Sequence, residues 1–439
     1  MSDMLLMGPV VMPPEPLRPQ FHFTAPSGWL NDPNGLVYVG GKYHLFYQHN
    51  PFGTQWGNMT WGHATSKDLL HWENLPNAIE PDSLGTIFSG SAVIDKANVS
   101  GFGTKSKPAM LCFYTAAGGT NDLSKGKSFS QCLAYSTDGI HFTKFAGNPI
   151  IPHIEAENRD PKVVWHEASK QWVLALYLVD NRYRFFGSKN LKEWTQLSEY
   201  KMPGTDECPD LFQLPYRGGK RWIFWGANGN YQVGDFDGSR FVPETSVQRS
   251  QFGNTGYASQ TYSNVPRGRC IQIAWLNGAE FPNCAWNQQM ALPNSLTLEE
   301  SKGEPRLRYW PVEEIKKLRG SAIQATANEY SVPSGLLDLE AEWKNAMSGI
   351  GKVTVNGIEI TLDMNSMKIA ALDKTADLPD ASTLNLRVVA DRTTVEIYAQ
   401  KGLVWMPMFR LPKPDQKNGV TVAAPQDWRG NIKVFELSS

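Results

Sequence analysis

One short element recurs along the first half of the chain: SKDLLHW (Ser66 to Trp72), STDGIHF (Ser136 to Phe142) and SKNLKEW (Ser188 to Trp194), with a weaker copy, DFDGSRF, from Asp235 to Phe241. Each is a small polar turn closed by an aromatic residue. A recurring unit constrains a fold strongly, because a unit too small to bury its own apolar face must stack on the next one. Ahead of three copies stand aromatic-rich runs broken by a polar turn: LVYVGGKYHLFYQ from Leu36, KVVWHEASKQWVLALYL from Lys162 and LFQLPYRGGKRWIFWG from Leu211. β-Branched and aromatic runs hinged on Gly-Gly or a similar turn predict antiparallel hairpins. Two further strand sets fill the gaps, FSGSAVID (Phe88) followed by AMLCFYT, and YASQTY (Tyr257) followed by CIQIAWLN. Starts near Asp32, Ser89, Asp160, Glu207 and Gly256 define five units of roughly 45 to 70 residues. Units of about four strands, repeated radially, describe a β-propeller. We therefore read residues 18–303 as a five-bladed β-propeller.

The pattern then changes. VEEIKKLRG, within residues 304–321, is charged with apolar spacing suited to a short helix ending at Gly320, and we read this stretch as a linker. From residue 322 to 439 come short alternating segments, GLLDLEAEW, KVTVNGIEITLDM, LNLRVVADRTTVEIYAQ and NIKVFELSS, with an Asn356-Gly357 turn between two of them. These predict a C-terminal β-sandwich. The expected fold is all-β, a five-bladed propeller followed by a sandwich, and 439 residues are more than one core accommodates.

Charge excludes some functions. Lys plus Arg number 42 against 43 Asp plus Glu, so bulk charge points to neither a nucleic-acid nor a membrane partner, and no apolar run is long enough to span a bilayer. The eight histidines form no HxxxH or HxH pair, and no DxDxDG loop occurs, so no metal site is expected. Phosphate-binding loops and nucleotide motifs are also missing, and no organic cofactor is implied. Five cysteines, an odd number without CxxC spacing, do not make a disulfide framework, although a Cys112–Cys132 bridge stays open. The start, MSDMLLMGPVVMPPEP, lacks the basic region of a signal peptide. The expectation is a cytoplasmic protein, or a secreted one whose leader has been removed.

Three acids hold related places in the repeat. Asp32 precedes Pro33, Asp160 precedes Pro161, and Glu207 precedes Cys208-Pro209, each just ahead of the first strand of a blade. First strands line a propeller's axis, so these carboxylates converge at one end of it. Like charges in one pocket cannot all ionise freely, which separates an ionised nucleophile from a protonated acid, as glycoside hydrolysis requires. Taken singly, each acid is also what a turn or Asx cap uses; three at equivalent places argue for chemistry.

The stretches WLNDPNG, YHLFYQHNP, WGNMTWGHATSKDLLHWENLP, FSGSAV, RDPKV, ECPDLF and DRTTVEIY, in this order and over nearly the whole chain, resemble glycoside hydrolase family 32, the β-fructofuranosidases (invertases, exo-inulinases and levanases). The resemblance implies a propeller with an appended sandwich. It implies Asp32 as nucleophile, Glu207 as general acid/base and Asp160 as transition-state stabiliser. It also implies Asn31 and Gln48 as polar contacts to fructose, Trp56 and Phe88 as apolar walls, Ser89 as a hydrogen-bonding partner, and Trp286 with Asn287 near the pocket rim. Arg159 is expected to pair with a carboxylate and hold its geometry. Trp61 fits a pocket wall or the core equally, and Cys208 is expected in the pocket wall. The implied substrate is a terminal fructoside of sucrose, inulin or levan, cleaved with retention.

Two departures stand out. Pro293-Asn294-Ser295 replaces a Pro-Arg-Glu triplet common in the family, and Thr255 or Gly256 stands where many members have an Asp before Tyr-Ala. Both are expected on the side that receives the leaving group. They leave open a fructosyltransferase on the same scaffold, and a non-catalytic carbohydrate-binding relative is the remaining alternative. The sandwich is expected to support the propeller, bind glycan or mediate a homo-oligomer; no feature of its sequence chooses among these.

Overall fold

Alternation with period two gives each strand one face to bury, and a four-stranded sheet does so by packing on the next sheet. In the computed structural model, which describes residues 15–379 and 383–438, five antiparallel sheets do this around a common axis. Their innermost strands are Gly28–Val39, Thr86–Asp95, Arg159–His166, Asp210–Tyr216 and Tyr257–Thr261. These touch in sequence, and the first also meets the last, so the ring is closed. Trp286–Asn287, between strands of the fifth sheet, crosses to pair in parallel with Gly28 and Trp29 and fastens the ends of the ring together.

The recurring polar turn connects the third strand of a blade to the fourth. Ser66 Oγ accepts from the backbone N–H groups of Asp68 and Leu69, while Asp68 Oδ1 accepts from those of Leu70 and His71. Ser136 with Asp138, and Ser188 with Asn190, repeat the pattern. The side-chain oxygens replace ladder partners that the bend removes.

Residues 304–321 differ from the expected linker. Glu304–Pro311 is the outermost strand of the fifth sheet, paired with Asn294–Ser301, because its alternating Leu307 and Tyr309 are buried. The helix is a short 3-10 segment, Glu313–Leu318, that seats Ile315 and Leu318 in the core. Arg319–Ala322 already belongs to the sandwich, which consists of two six-stranded sheets. Asn356 and Gly357 turn between Ile350–Val355 and Ile358–Asp363, both in the left-handed region that a tight hairpin demands. One apolar cluster, including Trp225, Trp286, Leu307, Ile315, Tyr398 and Trp405, runs through both domains. All five cysteines are free; Cys112 faces Ala134 across its sheet and not Cys132, so the bridge left open above is not formed. Among the described residues no helix is long and apolar enough to cross a membrane. Of the segment read for a leader, residues 1–16, the first fourteen lie outside the described residues.

Candidate active site

Every innermost strand carries one extra residue near its start. The register slips between Leu30 and Pro33, Phe88 and Gly90, Arg159 and Lys162, and Tyr257 and Gln260. In the fourth blade Ala227 N–H donates to Glu207 O at 2.7 Å, two residues beyond the Asp210–Trp225 pair, which leaves the same surplus. A bulge bends its strand and re-aims a side chain. Asp160, Cys208 and Ala258, at these bulges, all have positive φ, a conformation that non-glycine residues adopt only when their surroundings impose it. Asp32 and Asp160 are thus inside their strands, and only Glu207 stands ahead of its own.

The bulges open on a cavity of about 510 Å³ lined by Asn31, Asp32, Gln48, Trp56, Phe88, Ser89, Arg159, Asp160 and Glu207. These are nine of the ten site residues read from the sequence. The tenth, Trp286, is fully buried and lines no part of it. Its ring is packed in the inter-domain core, with the Arg18 guanidinium 4.7 Å above it, because its strand is the one that closes the ring. Asn287 is also buried and instead donates to Thr54 O, bracing the loop that carries Trp56. Trp61 is core, its indole donating to Phe88 O. Asn294 is buried, bonded to Leu292 O, and away from the cavity. Thr255 and Gly256 instead tie to Asn277. A second cleft, about 530 Å³, lies among Lys162, Trp165, Trp222 and Asn264 and holds no carboxylate cluster.

Six wall residues escape sequence reading: Trp275, Phe129, Glu157 and the Gly118-Gly119-Thr120 turn. Trp275 comes from the second strand of its blade, a position the repeat does not single out. Gly-Gly was the only local signal for the turn.

The acids differ in their partners, with the Cys208 thiol shared between two of them. Trp29 Nε1 donates to Asn31 Oδ1 (3.0 Å), and Asn31 Nδ2 to Asp32 Oδ1 (3.1 Å), while Ser89 Oγ donates to Asp32 Oδ2 (2.6 Å). Burial, then the charge of Glu207, push the Asp32 carboxyl up to about 6, against the pull of these donors. Burial and Glu207 likewise raise Asp160, opposed by Arg159. Asp160 Oδ2 accepts from Cys208 N–H at 3.1 Å, and the Cys208 thiol lies 3.4 Å from it and 3.7 Å from Asp32 Oδ2. Burial and three neighbouring carboxylates keep that thiol protonated, so it is a donor in the pocket floor and no nucleophile.

Glu207 is held from both sides. Arg159 Nε donates to Oε2 at 2.7 Å, and its guanidinium stacks 5.0 Å from the Tyr177 ring. The Tyr257 hydroxyl lies 3.2 Å from Oε1 and 3.2 Å from Asp206 Oδ2. Arginine has only donors, so a proton on Glu207 resides on Oε1. Burial and the surrounding carboxylates keep the Tyr257 phenol protonated.

The Glycosyl hydrolases family 32 N-terminal domain matches residues 22–311. The chain belongs to glycosyl hydrolases family 32. It is similar to the levanase of Bacillus subtilis (strain 168), at 35% identity over 97% of this chain and 70% of the levanase. It is also similar to the extracellular exo-inulinase inuE of Aspergillus niger, 36% identical over 68% of this chain and 65% of that protein. Family 32 structures share its architecture throughout. The exo-inulinase of Aspergillus awamori superposes with a TM-score of 0.86 at 26% identity, covering 97% of this chain and 99% of that one. The fructofuranosidase of Schwanniomyces occidentalis complexed with fructose gives 0.83 at 27% identity, over 96% and 98%. The chain is a glycoside hydrolase of this family.

Proposed function

We propose that the protein is an exo-acting β-fructofuranosidase that removes terminal fructose from sucrose or fructans by double displacement. The observation that carries this reading is the division of labour among the pocket acids. Asp32 is bonded by neutral donors only, whereas Glu207 is bonded by Arg159 on one oxygen and beside a phenol on the other.

Asp32, ionised above pH 6, attacks the anomeric carbon while Glu207 passes its Oε1 proton to the departing oxygen. Glu207, now a carboxylate, takes a proton from water, which attacks the same carbon and releases fructose with retained configuration. Asp160 holds fructose hydroxyls, most tightly as the ring gains oxocarbenium character. Gln48 and Asn31 supply polar contacts, and Trp56 and Phe88, in edge contact at 5.9 Å, form an apolar wall.

The test is a panel of sucrose, raffinose, inulin and levan, following free fructose against oligosaccharides. Free fructose from the first minutes is the expected product; oligosaccharides released from inulin or levan would refute exo action. Trisaccharide as the main product at high sucrose would reassign the protein as a fructosyltransferase.

A further inference from the structure

The loop between the fourth and fifth blades joins the sandwich to the catalytic acid. Gln251 bridges Trp405, Phe252 N–H donates to Trp405 O at 2.9 Å, and the Phe252 ring packs on the sandwich core. Gly253 lies so close to the sandwich that a Cβ there would stand 1.8 Å from Pro407 O. Asn254 then clasps the sandwich strand Val404–Phe409 with both ends of its amide: Nδ2 donates to Phe409 O at 3.0 Å, and Oδ1 accepts from Phe409 N–H at 2.9 Å. Three residues on, the Tyr257 hydroxyl reaches Glu207. The Tyr257 ring rests on a small apolar cluster of Cys208, Ala227 and Ala258, and backbone bonds link Ala258 to Ala227 and Ala227 to Glu207.

We propose that the sandwich is part of the catalytic apparatus at one remove: through Asn254 it holds Tyr257 against Glu207, and so fixes the oxygen that delivers the proton. Asn254 is a positioning residue, distant from the sugar. The tight approach at Gly253 and the two-point clasp at Asn254 are the last hydrogen-bonded hold of the loop on the sandwich before Tyr257, and Gly256 beside it packs on Pro407. This rests on Glu207 being the proton donor, and it gives the second domain a role in chemistry as well as in cohesion.

A misplaced proton donor harms only reactions whose leaving group needs a proton. The test compares kcat/KM, which reports the steps up to the covalent intermediate, for sucrose and for β-D-fructofuranosyl fluoride, whose fluoride departs with little protonation. Asn254→Ala and Gly253→Ala should lower kcat/KM for sucrose about tenfold, mainly through kcat, and leave the fluoride within twofold. Asn254→Asp, which keeps the acceptor for Phe409 N–H and loses the donor, should fall between, and it decides by the same ratio if Asn254→Ala does not fold. Equal losses on both substrates, or no loss on sucrose in folded variants, would overturn the proposal. Glu207→Gln, run in parallel, separates the two levels: if it fails to spare the fluoride, the assignment of Glu207 is at fault and not the role of Asn254.

Discussion

Two clusters of acidic side chains in this molecule behave in opposite ways. At the propeller axis Asp32, Asp160 and Glu207 share a pocket with a single cation at its edge, Arg159. At the domain interface Asp391 and Glu396 flank His22: Nδ1 lies 2.9 Å from Asp391 and Nε2 3.1 Å from Glu396, with every side chain fully buried. In the pocket, burial and like charge raise Asp32 and Asp160. At the interface, hydrogen bonds and the imidazolium outweigh burial, so Asp391 is lowered while His22 is raised to about 9. Backbone N–H groups of Gln20, Phe21 and Leu292, the Tyr398 hydroxyl and the Trp405 indole complete that cluster. Acids with a cation between them hold domains together; acids facing each other across an open cavity are kept reactive at the expense of stability.

The contrast breaks if the pocket acids prove dispensable. Asp32→Ala and Glu207→Gln should each cut sucrose turnover on the order of 10⁴-fold while circular dichroism stays that of the parent. Parent-like turnover by purified Asp32→Ala would remove the nucleophile from the mechanism.

At the interface the expected loss is of stability. His22→Leu strips the cation from two buried carboxylates and should cost about 3–5 kcal/mol of unfolding free energy. The sign with pH follows from direction. Its folded value, about 9, exceeds the ordinary 6.5, so His22 stabilises fully below pH 6.5 and the contribution is lost as pH rises through 9. Asp391, lowered, stabilises above its ordinary value of 3.8 and loses this as pH falls. The parent's urea midpoint should therefore drop between pH 7 and 9, and His22→Leu should lack that slope; identical slopes would show that the imidazole is uncharged.

Removing charge from the pocket should do the reverse. Asp32 is raised from 3.8 to about 6, so its ionisation opposes folding at neutral pH. Asp32→Asn, inactive, should be more stable than the parent by about 1–3 kcal/mol at pH 7, with the gain vanishing below pH 4. A loss of stability at pH 7 would mean that the carboxylate is structurally needed.

How much of this was legible in the sequence follows from range. The repeat and the three acids were readable because propeller geometry converts a sequence period into a spatial one: equivalent places converge on the axis. Trp286 lies away from the expected rim because a two-residue stretch leaves its own blade to close the ring, a long-range pairing without local signature. Strand Glu304–Pro311 reads as a linker because Glu304, Arg306 and Arg308, set between its apolar residues, mask the alternation of Leu307 and Tyr309. The acidic cluster around His22 was invisible, since residues more than three hundred and sixty positions apart meet there. Asn254 was unreadable for the same reason: its partner is the backbone of Phe409, and a backbone partner leaves no trace in side-chain pattern.

The smallest effect tests the comparison most finely. If neutral donors are all that hold the Asp32 charge, removing one must move its titration. Ser89 Oγ, 2.6 Å from Oδ2, favours the ionised form. A hydrogen bond to a charged group contributes about 1.5 kcal/mol or more, equivalent to roughly one pH unit. Ser89→Ala should therefore shift the acidic limb of the kcat/KM profile upward from near pH 6 by about one unit, because Asp32 must lose its proton to attack. The alkaline loss of stability set by His22 should stay where it is, since Ser89 makes no contact with that cluster. An unmoved acidic limb would mean that the group titrating there is not Asp32.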